Sequence, residues 1–118
     1  MKQEAFNKVW HALTKQGAPS TDADSGKCLY NGPNHTHCAI GHLVPEELHA
    51  NLVESATIMQ QLPEMRNWLY DHCGDQRFLL ELQRAHDQAT CGDFWVEAFQ
   101  ARMLGIAEEY NLTVPDNG

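Results

Sequence analysis

Between residues 2 and 16, apolar side chains return every three or four positions. Phe6, Val9, Trp10 and Leu13 fall at i, i+3, i+4 and i+7, with lysine, glutamine, glutamate and asparagine between them. This period predicts an amphipathic helix. Gly17 ends it and Pro19 reinforces the stop. The polar stretch STDADSGK (residues 20–27) reads as a loop. The pattern then shortens to a period of two. Cys28-Leu29-Tyr30 is apolar, Asn31-Gly32-Pro33-Asn34 is a turn signal, and the apolar pattern resumes at His37-Cys38-Ala39-Ile40-Gly41. A small β-hairpin is expected, with Cys28 and Tyr30 on one face. A second arm leading straight into a helix is the alternative.

Pro45 should start a short helix, with Glu46 and Glu47 in its first turn where the helix dipole favours acids. Residues 51–62 carry no clear period and read as a loop followed by a short helix. Pro63 opens a helix through Trp68, Leu69 and Tyr70, closed by Gly74. Asp75 is placed to cap the next, in which Phe78, Leu79, Leu82 and His86 share a face. Thr90-Cys91-Gly92 predicts a break and Asp93 an N-cap. The last helix should run from about Phe94 to Tyr110 on Trp95, Phe99, Leu104, Ile106 and Ala107, with a loose tail over residues 114–118. The expected fold is mainly α: one domain, 1–118, of five or six helices with one short β-hairpin around a single core. Trp10, Trp68 and Trp95 all fall at core spacing.

Composition narrows the partners. The formal net charge is −8, and the eight basic residues are scattered along the chain. No basic stripe exists to neutralise phosphates, so general nucleic-acid binding is not expected. The acids are scattered too, which argues against a mimic of DNA. No apolar run approaches the roughly 18–20 residues that span a bilayer, and no membrane partner is expected. The amphipathic N-terminus has no secretory h-region, so the expected compartment is a cytosol in which thiols stay reduced.

The chemistry concentrates in KCLYNGPNHTHCAIGHLVPEELH, residues 27–49. Zinc needs four thiolate or imidazole ligands. Cys28, His35, His37 and Cys38 have the right chemistry within eleven residues. Their spacing is wrong for two knuckles, and neighbours in a strand point apart. Reduced thiols in a hairpin are the favoured reading, and no cofactor is expected. A catalytic Cys38 would need a lowered pKa and a base. His86 could be that base, yet Asp87, the next residue on a helix, projects about 100° away and should not orient it. A lone His86-Asp87 pair is likewise a weak sign of metal-dependent phosphohydrolase chemistry.

The order CLYNGPN, HCAIGHLVPEELH and LLELQRAHD, followed by a Trp-bearing last helix with IAEEYNL, resembles a widespread family of small uncharacterised phage and prophage proteins. The family pattern runs Cys-x-Tyr-Arg, Cys-Ala-x-Gly, hydrophobic-Pro-acidic, then Leu-Gln-x-x-His-Asp. Matching positions are Cys28, Tyr30, Cys38, Gly41, Pro45, Gln83, His86 and Asp87. Asn31 stands where the family tends to have arginine, and His49 where it tends to have tyrosine. The resemblance implies a phage or prophage protein in a bacterial cytoplasm that acts by binding a host or defence-related protein or small molecule. Cys28, Tyr30, Cys38, Gln83, His86 and Asp87 are the expected ligand site, because polar residues in apolar segments need partners, with Asp87 orienting His86 or accepting a ligand hydroxyl; a structural network that pins the hairpin to the helix is the equal alternative. The competing class is a cysteine- or metal-dependent enzyme, or a structural zinc domain, using Cys28, Cys38 and His86. A homodimer is compatible with a small helical domain but is not demanded.

Overall fold

The computed structural model describes residues 1–22, 24–25, 27–54, 56–89 and 94–115. Within them the chain forms five α-helices: α1 (Lys2–Gln16), α2 (Ala39–Leu43), α3 (Pro63–His72), α4 (Gln76–Asp87) and α5 (Trp95–Tyr110). Three 3-10 turns, at Pro33–His35, Glu46–Asn51 and Ile58–Gln60, complete it. None of these helices is long and apolar enough to cross a membrane.

The helix signals act as their chemistry dictates. Gly17 closes α1 in the left-handed conformation, and its N–H bonds back to the Leu13 carbonyl. Pro63 occupies the first turn of α3, where its missing N–H costs nothing. The Asp75 carboxylate accepts from the Phe78 N–H at 2.9 Å and so caps α4. Pro45 precedes its helix, which is a 3-10 turn rather than an α-helix. The 51–62 stretch resolves into a short turn with a reciprocal cap between Thr57 and Gln60, burying Ile58.

The core is one cluster. Phe6, Val9 and Leu13 of α1 meet Phe78, Leu79 and Leu82 of α4 and Trp95, Phe99 and Met103 of α5, all fully buried or nearly so. Helix α2 packs on α1 and α4, and the turn at Ile58–Gln60 packs on α4. Two expectations about the core change. Leu104 is half exposed, and Met103 takes its place. Trp10 and Trp95 are buried, but Trp68 is only partly covered and stacks on the His72 ring at 4.6 Å. The predicted break at Thr90-Cys91-Gly92 and the Asp93 cap lie outside the described residues, as do residues 116–118 of the predicted tail. Just before the predicted tail the chain is tied to α1, because Gln3 exchanges two hydrogen bonds with the Thr113 backbone.

The β-hairpin does not form. Thr21 pairs with Cys28 and Asn31 with His37 as two isolated bridges, with no strand among the described residues. The cause is local. Pro33 can donate nothing to a ladder, and Asn34 and His35 both take left-handed conformations that reverse the chain within a 3-10 turn. One residue after the His37 bridge, the Cys38 thiol sulfur accepts from the Gly41 N–H at 3.4 Å and starts α2. The second arm therefore leads into a helix.

Gly41 is where α2 touches the preceding loop. A Cβ there would overlap the Tyr30 carbonyl oxygen and crowd the His37 Cβ. Gly105, in α5, has nothing within 4 Å. Gly41→Ala is expected to lower unfolding stability by about 1–3 kcal/mol. Gly105→Ala should raise it by about 0.5–1 kcal/mol through helix propensity. Urea unfolding of the two variants side by side checks both signs.

Candidate functional site

Helix α4 has two working faces. Phe78, Leu79, Leu82 and His86 point into the core. Leu80, Gln83, Arg84 and Asp87 fall at i, i+3, i+4 and i+7, and together line a cavity of about 320 Å³ that opens to solvent on one side. The loop wall supplies Cys28, Leu29 and Tyr30, α2 supplies Cys38, and the segment before Pro63 supplies Glu54, Ala56, Thr57 and Ile58. Five of the six residues expected from the sequence thus line one cavity. The sixth, His86, stands behind it, 1 % exposed.

His86 is the centre of a polar clasp. Its Nε2 accepts from the Ser20 backbone N–H at 2.9 Å. A peptide nitrogen can only donate, so Nε2 carries a lone pair and the proton of the neutral ring sits on Nδ1. That N–H donates to Asp87 Oδ1 at 2.8 Å. The offset held against a triad does not keep the two side chains apart, and Asp87 meets the His86 ring. The 100° offset separates Cα–Cβ directions, but the Asp87 side chain reaches back to the ring. Gln83 Nε2 donates to the same Oδ1 at 2.8 Å, and Gln83 Oε1 accepts from the Ile40 N–H at 3.2 Å. The Cys28 side chain also bonds to Asp87. Burial works against the Asp87 charge, but bonds from His86, Cys28 and Gln83 outweigh it and hold the carboxyl below its ordinary range.

The edge-to-face contact of His86 with Trp95, centroids 5.7 Å apart, fixes the ring from the core side. Tyr30 closes the cavity wall. Its hydroxyl donates to the Ala56 carbonyl at 2.6 Å, and burial pushes its pKa up to about 12. Glu54 accepts from the N–H groups of Tyr30 and Asn31, at 2.7 and 3.0 Å.

Cys38 is not an activated nucleophile. It is 1 % exposed, and burial pushes its thiol up to about 12. The zinc set weighed above does not assemble either. His35 is exposed, His37 Nδ1 lies 3.1 Å from the Tyr30 carbonyl, and Cys38 caps α2. Among the described residues, one group of three metal-ligand types converges: Cys28, His86 and Asp87, with ligand atoms within 4.8 Å of one another. The tautomer of His86 opposes a metal there. The nitrogen near Asp87 bears the proton, and freeing it would protonate Nε2 against the Ser20 N–H.

The histidines of the quoted stretch form a second cluster. The His37 ring lies 5.1 Å from His42 and 4.9 Å from His49, centroid to centroid. Gln16 binds the cluster to α1, accepting from the His37 N–H at 2.9 Å and meeting His42 Nε2 at 2.8 Å. His49 Nε2 reaches the Gly41 and Val44 carbonyls, both at 2.9 Å.

Sequence reasoning missed Glu54, which lies in the stretch without a period, and Ser20, whose contribution is a backbone N–H that no residue type advertises. Leu80 was legible as an apolar residue on the face opposite the core stripe.

His42 sets a pH dependence. Burial, then the neighbouring His37, His86, Lys8 and His49, lower its pKa from 6.5 to about 4. The unfolded chain therefore takes up a proton near pH 6.5 that the folded chain refuses until about pH 4. The stability tied to this ring is complete above pH 6.5 and is lost as the pH falls through that window. The loss should be on the order of 2 kcal/mol after allowance for partial solvent exposure. Urea midpoints measured across the window should slope downward toward acid, and His42→Gln should flatten the slope. An equal slope in both proteins would assign the acid sensitivity to other groups.

Compared with known proteins, the chain matches no family model, no curated protein and no solved structure.

Proposed function

We propose that this protein is a non-enzymatic binding protein whose ligand enters the cavity between α4, the Cys28–Tyr30 loop and the Glu54–Ile58 segment. The observation that carries this reading is convergence. Residues from four separate stretches of sequence meet at one concave site of about 320 Å³ with an aliphatic wall and a few fixed polar groups. That combination is the usual build of a small-molecule site. The phage or prophage source, and a host or defence-related ligand, rest on the sequence resemblance and belong to this proposal.

Chemistry favours binding over catalysis. Cys38 is a buried neutral thiol. The Cys28 thiol faces a carboxylate rather than a cation or a helix N-terminus. Both nitrogens of His86 are occupied by hydrogen-bond partners within the protein, and the ring is 1 % exposed, so neither nitrogen faces the cavity free to meet a substrate.

A second reading has its own support. His86 and Gln83 are satisfied within the protein, so the clasp also serves to pin the loop to α4 whatever the cavity does. The two readings part at Leu80. Leu80 lines the cavity, and no bond of the clasp involves it. Native mass spectrometry of protein purified from cells, compared with its denatured mass, should show a small organic adduct. Leu80→Trp, which fills the cavity, should abolish the adduct at little cost in stability. Bare wild-type chain would leave the clasp as a purely structural device. One zinc per chain would overturn the tautomer argument and with it the binding reading.

A further inference from the structure

Three charged side chains border the cavity: Glu54, Asp87 and Arg84. Their pairing is unequal. Arg84 turns to Glu81 on its own helix at 3.3 Å, with its side chain 60 % exposed, and it also borders the groove between α4 and α5. The two carboxylates have no such partner. Glu54 is held by two backbone N–H groups. Asp87 is held by a neutral imidazole, an amide and a thiol. Among the described residues, no lysine or arginine pairs with either of them. Neutral donors fix a carboxylate in position without cancelling its charge. Asp87 also keeps acceptor capacity, since an ionised carboxylate offers about four lone-pair sites and three donors are accounted for.

The rest of the wall matters as much as the charges. Tyr30, 7 % exposed, is among its lining residues, with its hydroxyl bonded to the Ala56 carbonyl. Anionic oxygens beside largely apolar surface suit a cation that carries an organic body. Leu29, Ile58 and Leu80 add aliphatic surface. A hydrated metal ion would find no use for that surface. A phosphorylated or carboxylated ligand would have to approach two fixed carboxylates of like charge.

We infer that the cavity takes a small organic cation, with an ammonium or guanidinium head on the Asp87 and Glu54 carboxylates and an apolar body against Tyr30, Leu29, Ile58 and Leu80. This rests on the binding reading above and names its ligand class. The net charge of −8 adds a field that draws such a ligand toward the surface.

Three probes of one shape test the sign of the charge: phenethylammonium, 2-phenylethanol and 3-phenylpropanoate. Each is titrated into the full-length protein at neutral pH and followed by backbone amide NMR. Phenethylammonium should shift the amides of Leu29, Tyr30, Ala56 and Leu80, and bind at least roughly tenfold more tightly than the alcohol. Its affinity should weaken with added salt. Asp87→Asn, which keeps an oxygen for the His86 N–H, and Glu54→Gln, on an exposed side chain, should each weaken it several-fold. If Asp87→Asn does not fold, Glu54→Gln and the salt series still decide. Equal or tighter binding of the alcohol, or preferred binding of the propanoate through Arg84, overturns the cation class and leaves the pocket reading standing. No shift from any probe at millimolar concentration also overturns it, and the adduct experiment above then judges the pocket by itself.

Discussion

A single buried imidazole organises this fold. His86 projects from α4 into the core, and each of its nitrogens has one assignment. One accepts a hydrogen bond from the Ser20 backbone N–H, 66 residues earlier in the chain, and the other donates one to Asp87. A ring in this position with either nitrogen unpaired would cost a few kcal/mol. The loop after α1 is therefore obliged to pass where it does. With Ser20 docked, Cys28, Leu29 and Tyr30 lie beside α4 as one wall of the cavity. The Tyr30 carbonyl then lies where only a glycine, Gly41, lets α2 approach.

The cavity follows from that routing. The loop is held to α4 through groups near its two ends, Ser20 on His86 and Cys28 on Asp87. It is held to the 54–56 segment through Glu54 and through the Tyr30 hydroxyl. Neither anchor brings the loop into full contact with Leu80 and Arg84, and the space between them stays open to solvent. Polar anchors are directional and fix distances, whereas apolar packing would have closed the gap. A clasp and a binding site are thus compatible products of the same bonds.

The segment from His37 to His49, around α2, is an electrostatic compromise. Three imidazoles crowd together because each finds an oxygen: Tyr30 for His37, Gln16 for His42, and the Gly41 and Val44 carbonyls for His49. The arrangement is favourable while the rings are neutral. A proton on His42 would face two neighbouring imidazoles and the Lys8 charge from α1. Burial of His42, reinforced by its imidazole neighbours, makes this element acid-sensitive, and Cys38, its N-cap, lines the cavity.

The sequence by itself determined the helices and which side chains would need partners. Periodicity placed α1, α3, α4 and α5 to within about two residues, because amphipathic stripes, Gly17, Pro63 and Asp75 act locally. Cys28, Tyr30, Cys38, Gln83, His86 and Asp87 were legible as polar or soft residues in apolar settings, and tertiary structure brought them to one place. What the sequence left open depended on backbone geometry and on contacts between distant segments. A period of two over Cys28–Tyr30 reads the same whether a strand partner follows or α2 does, and the left-handed turn at Asn34 and His35 with the Cys38 cap on α2 made the choice. Leu104 and Met103 are adjacent and equally apolar, and only the neighbouring helices select which one is buried. The tautomer of His86 was set by a peptide N–H, a group present at nearly every residue and therefore invisible to any reading of side chains. Local chemistry specifies elements. The hydrogen-bond roles of a buried ring's two nitrogens exist only once the chain has folded around it.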